Sequence, residues 1–242
     1  MKALERTIKR GPENLKKLVN KSVHWLREAE SIFKNPCILF SGGKDSTLVL
    51  HLCRLAYFGK IPYDVIFLDT GFQPEETHNY IDNLSEQWGF NLIRAENVEA
   101  KLDGVNPDSS GKRKCCHLLK TEALNQIIRK NGYDAVITSI RWDEENMRSR
   151  ELYFSYRFRR DPKHVRVHPI LHWRLEDVWS YTETKKLPIN PMYNYVTEDG
   201  KVYKSLGCYT CTFPVSIDAP ERGGRDNTKE EIMEALRSLG YM

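Results

Sequence analysis

Apolar residues recur along the chain with two alternating periods. Over residues 13–33, Leu15, Leu18, Val19, Val23, Leu26, Ala29, Ile32 and Phe33 are spaced by threes and fours, which predicts an amphipathic helix. Pro12 suits its first turn, and Asn35-Pro36 ends it. Short continuous apolar runs then alternate with helical periods. Strands are expected at Cys37-Ile38-Leu39-Phe40, 64–69, 91–95, 135–140 and 164–171, and helices at 45–58, 75–88, 116–130 and 174–186. Residues 96–114, polar with Gly and Pro, read as a loop, and Asn131-Gly132 as a helix stop. Beyond Pro188 the pattern is irregular until an amphipathic period at 228–239. Repeated strand–helix units with apolar strands predict an α/β fold: a doubly wound, mainly parallel five-stranded sheet with helices on both faces. The expected layout is an N-terminal helical segment (1–34), an α/β domain (35–187) and a C-terminal extension of the same unit (188–242). Such sheets bind ligands at the carboxyl ends of their strands, so the loops starting at 41, 70 and 141 are the ones to search.

The 242 residues are 40% apolar and 29% charged, ample for a core and inconsistent with wholesale disorder. No run approaches the ~20 apolar residues of a membrane span. The first residues lack an apolar stretch, so a secretory leader is not expected and a cytoplasmic location is. The net charge of +4 is compatible with anionic substrates but too small to establish nucleic-acid binding.

Ser41-Gly42-Gly43-Lys44-Asp45-Ser46-Thr47 follows the first strand and opens a helix. Two glycines let the backbone approach a ligand, and a helix N-terminus offers free N–H groups to an anion. Ser41, Ser46 and Thr47 add hydroxyls, and Lys44 adds a charge. The loop matches neither G-x-x-x-x-G-K-[ST] nor G-x-G-x-x-G. An ordinary glycine turn capped by Asp45 or Ser46 is the plainer alternative.

This segment resembles the PP-loop of the N-type ATP pyrophosphatases. The resemblance implies an adenine nucleotide α-hydrolase-like fold and cleavage of ATP between its α- and β-phosphates, with adenylation of an acceptor. Leu68-Asp69-Thr70-Gly71-Phe72 resembles a segment of the branch that holds phosphoadenylylsulfate (PAPS) and adenylylsulfate (APS) reductases, the sulfate adenylyltransferase small subunit and DNA phosphorothioation ATP pyrophosphatases. So do residues 140–145 with Arg148, Arg150 and Glu151, residues 168–179, and residues 187–193. The likeness runs from about residue 28 to the end. It implies nucleotide binding by Ser41, Gly42, Gly43, Lys44, Asp45, Ser46, Thr47, Asp69, Thr70 and Gly71. Lys44, Asp45, Arg141, Arg148 and Arg150 would be catalytic, the arginines neutralising charge as pyrophosphate leaves. Arg222 and Arg225 would form a C-terminal anion clamp. Arg157, Arg159 and Arg160 are equally placed to face solvent, and Trp173, Val178 and Trp179 belong to the core.

In a reducing compartment, clustered cysteines point to metal or redox chemistry. Cys37 and Cys53 lie in apolar runs and read as small buried hydrophobes. Cys115-Cys116 and Cys208-x-x-Cys211 form two pairs, which spacing alone leaves open to a [4Fe–4S] cluster, zinc, a redox disulfide or chance. Lys112, Arg113 and Lys114 would offset thiolate charge and lower the cysteine pKa values. An adjacent pair, about ninety residues, then Gly207-Cys208-Tyr209-Thr210-Cys211-Thr212 is similar to the cluster signature of assimilatory APS reductases. That implies a [4Fe–4S] cluster on Cys115, Cys116, Cys208 and Cys211, with zinc the lesser alternative.

The pattern departs from the reductases at its end. Their tail carries a nucleophilic cysteine, whereas no cysteine follows Cys211 here. Pro220-Glu221-Arg222-Gly223-Gly224-Arg225-Asp226 resembles the sulfate adenylyltransferase small subunit instead. An adenylating loop, a cluster signature and no terminal thiol together imply sulfur insertion, with DNA phosphorothioation or nucleic-acid thiolation as the pathway. The alternatives are an APS/PAPS reductase or a sulfate adenylyltransferase small subunit, and, in another class, a non-catalytic nucleotide-binding scaffold. The implied cofactors are ATP, Mg²⁺ and the cluster. The implied partners are a cysteine desulfurase or other sulfur donor, a DNA or RNA acceptor, other subunits of a sulfur-transfer complex and a second copy of the chain; no membrane is implied.

Overall fold

A computed structural model describes residues 11–144, 148–158 and 161–226. The sheet is built from β1 (Pro36–Leu39), β2 (Asp64–Leu68), β3 (Leu92–Ala95), β4 (Ala135–Ile137), β5 (Phe154–Tyr156) and β6 (Val165–Val167), in the order β3-β2-β1-β4-β6-β5. All neighbours are parallel except β5, which pairs antiparallel with β6. Alternation along the strands separates two cores. Ile38, Val65, Phe67 and Ile137 face one side, and Cys37, Ile66 and Val136 face the other.

The first face is covered by α1 (Pro12–Ile32), α2 (Lys44–Ala56), α3 (Glu75–Trp88) and α7 (Leu175–Lys185). Leu26 and Ala29 of α1 are wholly buried there. Burying a leucine contributes about 1.5–3 kcal/mol. The Trp173 indole donates to the Ser22 hydroxyl at 2.9 Å, which fastens α1 to the segment before α7. Across the sheet, α6 (Ala123–Asn131) places Leu124 and Ile128 on the second core.

Two features differ from the sequence expectation. The sheet has a sixth strand, β5, which is three residues long, lies beside an arginine-rich stretch and leaves Tyr156 63% exposed, so it carried no apolar run to read. The expected loop at 96–114 contains two short helices, α4 (Val98–Leu102) and α5 (Lys112–Cys116). The Asn97 side chain caps α4 by accepting from the Ala100 N–H at 3.1 Å. A π-helical turn, His117–Glu122, joins α5 to α6. The helix expected at 228–239, and Glu145, Arg159 and Arg160, lie outside the described residues.

From β1 the chain builds outward through β2 and β3, then returns to place β4 on the other side of β1. The carboxyl ends of β1 and β4 therefore diverge and leave a crevice between their loops. Among the described residues, no helix is long and apolar enough to cross a membrane.

Candidate active site

Beyond β1 the chain turns through Ser41, Gly42 and Gly43 into α2. Gly42 has φ +72°, and a Cβ there would stand 3.1 Å from Thr77 Cγ2 and 3.2 Å from Ile81 Cδ1 on α3. Both the backbone angle and the space require glycine. Gly43 is the N-cap of α2, and its carbonyl accepts from Ser46 Oγ at 2.8 Å and Thr47 Oγ1 at 3.1 Å. The buried Asn190 donates to the Gly42 carbonyl at 3.2 Å, and the Lys44 N–H donates to the Tyr193 hydroxyl at 3.3 Å. The 190–193 segment thus braces the loop from outside. A cavity of about 320 Å³ opens at the crevice. Ser41, Gly43, Lys44, Asp45 and Ser46 form its floor, Leu68 and Gln73 one wall, Thr138–Ile140 the other, and Arg222 and Arg225 part of its rim.

Its charge is concentrated in one network. Lys44 is 5% exposed and Arg141 is fully buried. Lys44 Nζ donates to Asp45 Oδ2 at 2.9 Å and also contacts Glu221. Arg141 contacts Asp45, donates to Glu221 Oε2 at 2.6 Å and to Asp143 Oδ1 at 2.9 Å, and its N–H donates to Glu144 Oε2 at 3.0 Å. Arg148 pairs with Glu144. Burial alone would favour a neutral Lys44, but Asp45, Tyr193 and Glu221 outweigh it and hold the ammonium charged. Burial likewise pushes Asp45 up, while Lys44 and Arg141 bring it below the usual carboxylate range. Oxygens of Asp45, Glu144 and Glu221 lie within 4.8 Å of one another, close enough to share a divalent cation.

The cysteine pairs meet beside this cavity. Cys115, Cys116, Cys208 and Cys211 are 8%, 9%, 7% and 3% exposed. Cys208 lines the cavity and lies 3.4 Å from Thr70 Oγ1. The Cys115 thiol is pushed up to about 11, first by burial and then by Cys116, Cys208 and Cys211, so the pairs share one electrostatic neighbourhood. This corrects the expectation that Lys112, Arg113 and Lys114 lower the thiol pKa. Arg113 and Lys114 are exposed, and Lys112 pairs with Asp226. Lys112 also feels Cys211, but the cation set closest among the sulfurs is Lys120, on the π turn. Burial opposes its charge, but Cys208 and Cys116 sustain it, and it hydrogen-bonds Cys208. Lys120 also lines the cavity and so stands between the two sites.

Several residues singled out in the sequence sit elsewhere. Thr47 points away from the cavity, its hydroxyl also meeting Tyr80 Oη at 2.9 Å. Asp69 accepts the Gly71 N–H at 2.9 Å and faces Lys101 at 3.4 Å and Arg94 at 3.6 Å, closing its own turn. Thr70 turns to Gln73 at 2.9 Å and to Cys208. Arg150 is exposed, while Arg148 lines the cavity. Arg225 donates to Ser205 Oγ at 2.9 Å and Thr212 Oγ1 at 3.2 Å, pinning the Cys208–Cys211 turn. Trp179 is half-buried against Tyr193, with ring centroids 5.3 Å apart. Sequence reasoning gave no role to Gln73, Lys120, Glu144, Tyr193 or Glu221. Three of these lie inside segments already noted for their resemblance, and no periodicity marks any of them.

Residues 35–214 match the phosphoadenosine phosphosulfate reductase domain. Sulfate adenylyltransferase subunit 2 of Pseudomonas putida is 36% identical, over 85% of this chain and 85% of its own. The same subunit of Pseudomonas syringae pv. tomato is 36% identical, over 94% of this chain and 98% of its own. Among solved structures, phosphoadenylyl-sulfate reductase from Candida auris, in a phosphate complex, superposes with a TM-score of 0.65 at 19% identity, covering 86% of this chain and all (100%) of that one. Candida glabrata FMN adenylyltransferase with ATP gives 0.63 at 20% identity, covering 84% and 64%. These two likenesses are of fold.

Proposed function

We propose, from the premise that the chain belongs to the phosphoadenosine phosphosulfate reductase domain family, that it is an ATP pyrophosphatase adenylating an anionic acceptor in sulfur metabolism. Sulfate is the acceptor that the names of the curated relatives suggest, and their designation as subunit 2 suggests a partner subunit. The observation that carries this reading is the convergence of Lys44, Arg148 and the α2 N-terminus on a cavity at the switch point of the sheet, with Arg141 buried behind Asp45.

In this reading the pyrophosphate part of ATP lies over Ser41, Gly43, Lys44 and Ser46. An acceptor oxygen attacks the α-phosphorus, a P–O bond forms, and the bond to the β-phosphate breaks with its electrons leaving on pyrophosphate. Lys44, Arg141 and Arg148 stabilise the charge that accumulates there, held in place before the reaction begins. An oxyanion acceptor needs no general base, which fits a site that acts by positioning and charge. Asp45 and Glu144 would hold the Mg²⁺ that accompanies the nucleotide and offsets its charge.

Four buried thiols beside the half-buried Lys120 are a suitable donor set for an iron–sulfur cluster, which would supply electron-transfer or sulfur-holding chemistry. Cys208 in the cavity wall favours a second reading, in which the activated acceptor receives sulfur. DNA phosphorothioation is one such pathway, with a cysteine desulfurase or another sulfur donor as partner.

The test is pyrophosphate release from ATP by anaerobically purified protein, alone and with a partner subunit, with and without sulfate, beside iron and zinc analysis. Sulfate-dependent release supports the adenylyltransferase. Release without sulfate from an iron-containing protein supports sulfur insertion. ATP binding with no release under either condition means a scaffold and overturns both.

A further inference from the structure

The cations assigned to phosphate are already held by a carboxylate from a distant part of the chain. Glu221 lies 177 residues after Lys44. One of its oxygens contacts Lys44 Nζ, and the other accepts from Arg141 Nη2 at 2.6 Å, so a single carboxylate bridges both cations. Its side chain is 11% exposed, and it sits in the cavity lining.

Asp45 bridges the same two cations but belongs to the first turn of α2. Its backbone is fixed by the helix, so only its side chain can turn. Glu221 is differently mounted. It lies in a turn whose internal bonds are Gly223 N–H to Pro220 O and Arg225 N–H to Arg222 O, both 2.9 Å. The base of that turn is fixed. Phe213 N–H donates to Gly224 O at 2.8 Å, and a Cβ on Gly224 would lie 2.1 Å from Phe213 O. The turn thus projects from a closely packed base that the Asp226 N–H ties to Cys211 O at 3.3 Å.

Glu221 and an incoming anion compete for the same cations. Among the described ion pairs, Lys44, Arg141 and Arg148 stand against Asp45, Asp143, Glu144 and Glu221. Lys120, Arg222 and Arg225 add positive charge to the cavity lining, so an anion is attracted there, but Glu221 already occupies Lys44 and Arg141. Withdrawing Glu221 would free a contact on both of those cations in one movement.

We propose that Glu221 is an internal competitor for the pyrophosphate position, and that nucleotide binding displaces it together with the turn 220–223, which swings on Gly224. The proposal rests on the cavity being the nucleotide site. Glu221 thereby sets the affinity threshold of the site and admits ligands whose phosphates outcompete a carboxylate.

The test uses pyrophosphate, without and with Mg²⁺, titrated calorimetrically into the full chain and into Glu221→Gln and Lys44→Ala. Glu221→Gln should bind pyrophosphate at least about fivefold more tightly without Mg²⁺, the lower end of ordinary coupling between sites. Lys44→Ala should bind much more weakly. In the unmutated protein, the amides of Gly223 and Arg225 should exchange faster with deuterium when pyrophosphate is bound while that of Phe213 stays protected, a readout independent of any variant's folding. Equal or weaker binding by Glu221→Gln, or slower exchange at the Gly223 and Arg225 amides, overturns the proposal. Weaker binding that appears only with Mg²⁺ overturns it by making Glu221 a cation ligand. Equal binding by Lys44→Ala and the unmutated chain would sink the nucleotide-site reading instead, and binding by none of the three would sink both.

Discussion

Replacing Arg141 by methionine removes the cation with the most carboxylate contacts and leaves the side-chain volume nearly unchanged. Arg141 is fully buried and touches Asp45, Asp143 and Glu221. Asp143 in turn accepts the Leu175 N–H at 2.8 Å, so the network also holds the start of α7. Without Arg141, Lys44 and Arg148 would face four carboxylates. Removing one partner of a buried ion pair costs about 3–5 kcal/mol because the other charge stays buried and uncompensated. For a chain of this size that is a fall in Tm of roughly 6–20 °C. Arg141→Lys keeps the charge but not the planar fork, so its loss should lie between the two. The assay is urea unfolding of all three proteins at pH 8 and pH 5. The loss should be smaller at pH 5, where carboxylates left without Arg141 can take up protons. A loss under about 1 kcal/mol, typical of a solvated surface pair, or a loss that grows as the pH falls, would refute the reasoning.

Other consequences follow from individual residues. Gly42→Ala should cost about 1–2 kcal/mol from its left-handed backbone, with a further loss as Thr77 and Ile81 give way; thermal unfolding and ATP affinity should both fall, and unchanged values would contradict the geometry. Burial holds His51 and His172 at about 4, below the ordinary value near 6.5. Both are therefore neutral in the fold, the unfolded chain binds protons first, and their stabilisation is complete above pH 6.5 and lost as pH falls toward 4. The slope is less than about 1.4 kcal/mol per pH unit for each ring, reduced by partial exposure, and a flat stability between pH 7 and pH 4.5 would exclude it. Cys208→Ser should lower bound iron or zinc in anaerobic preparations while Cys53→Ser, in the wholly buried core, leaves it unchanged; equal metal content in both would remove Cys208 from the donor set.

The alternation of apolar runs and helical periods was enough to place the parallel strands and the helices around the glycine loop. It worked because those strands are buried on both faces, as Ile38 and Cys37 illustrate on opposite cores. Strand β5 was invisible because an edge strand of three residues, with Tyr156 in solvent, needs no apolar run. In the site, Lys44 and Asp45 were legible from the loop itself. Glu221 was not, since its role comes from a contact across 177 residues that no local period encodes. Lys120 was missed for a similar reason. Of the three basic residues beside the cysteines only Lys112 feels a sulfur, that of Cys211, while Lys120, four residues beyond Cys116, hydrogen-bonds Cys208. Asp69, expected as a ligand because it stands at a strand end, accepts the Gly71 N–H and closes its own turn, a contact no periodicity signals.

The most direct measurement is to identify the products of ATP turnover by ³¹P NMR, using anaerobic protein with sulfate, alone and with the partner subunit proposed above, and Lys44→Ala as the control. Pyrophosphate appearing with an adenylylated product or AMP, and lost in Lys44→Ala, is the predicted result. ADP with inorganic phosphate, or turnover that persists without Lys44, would contradict it.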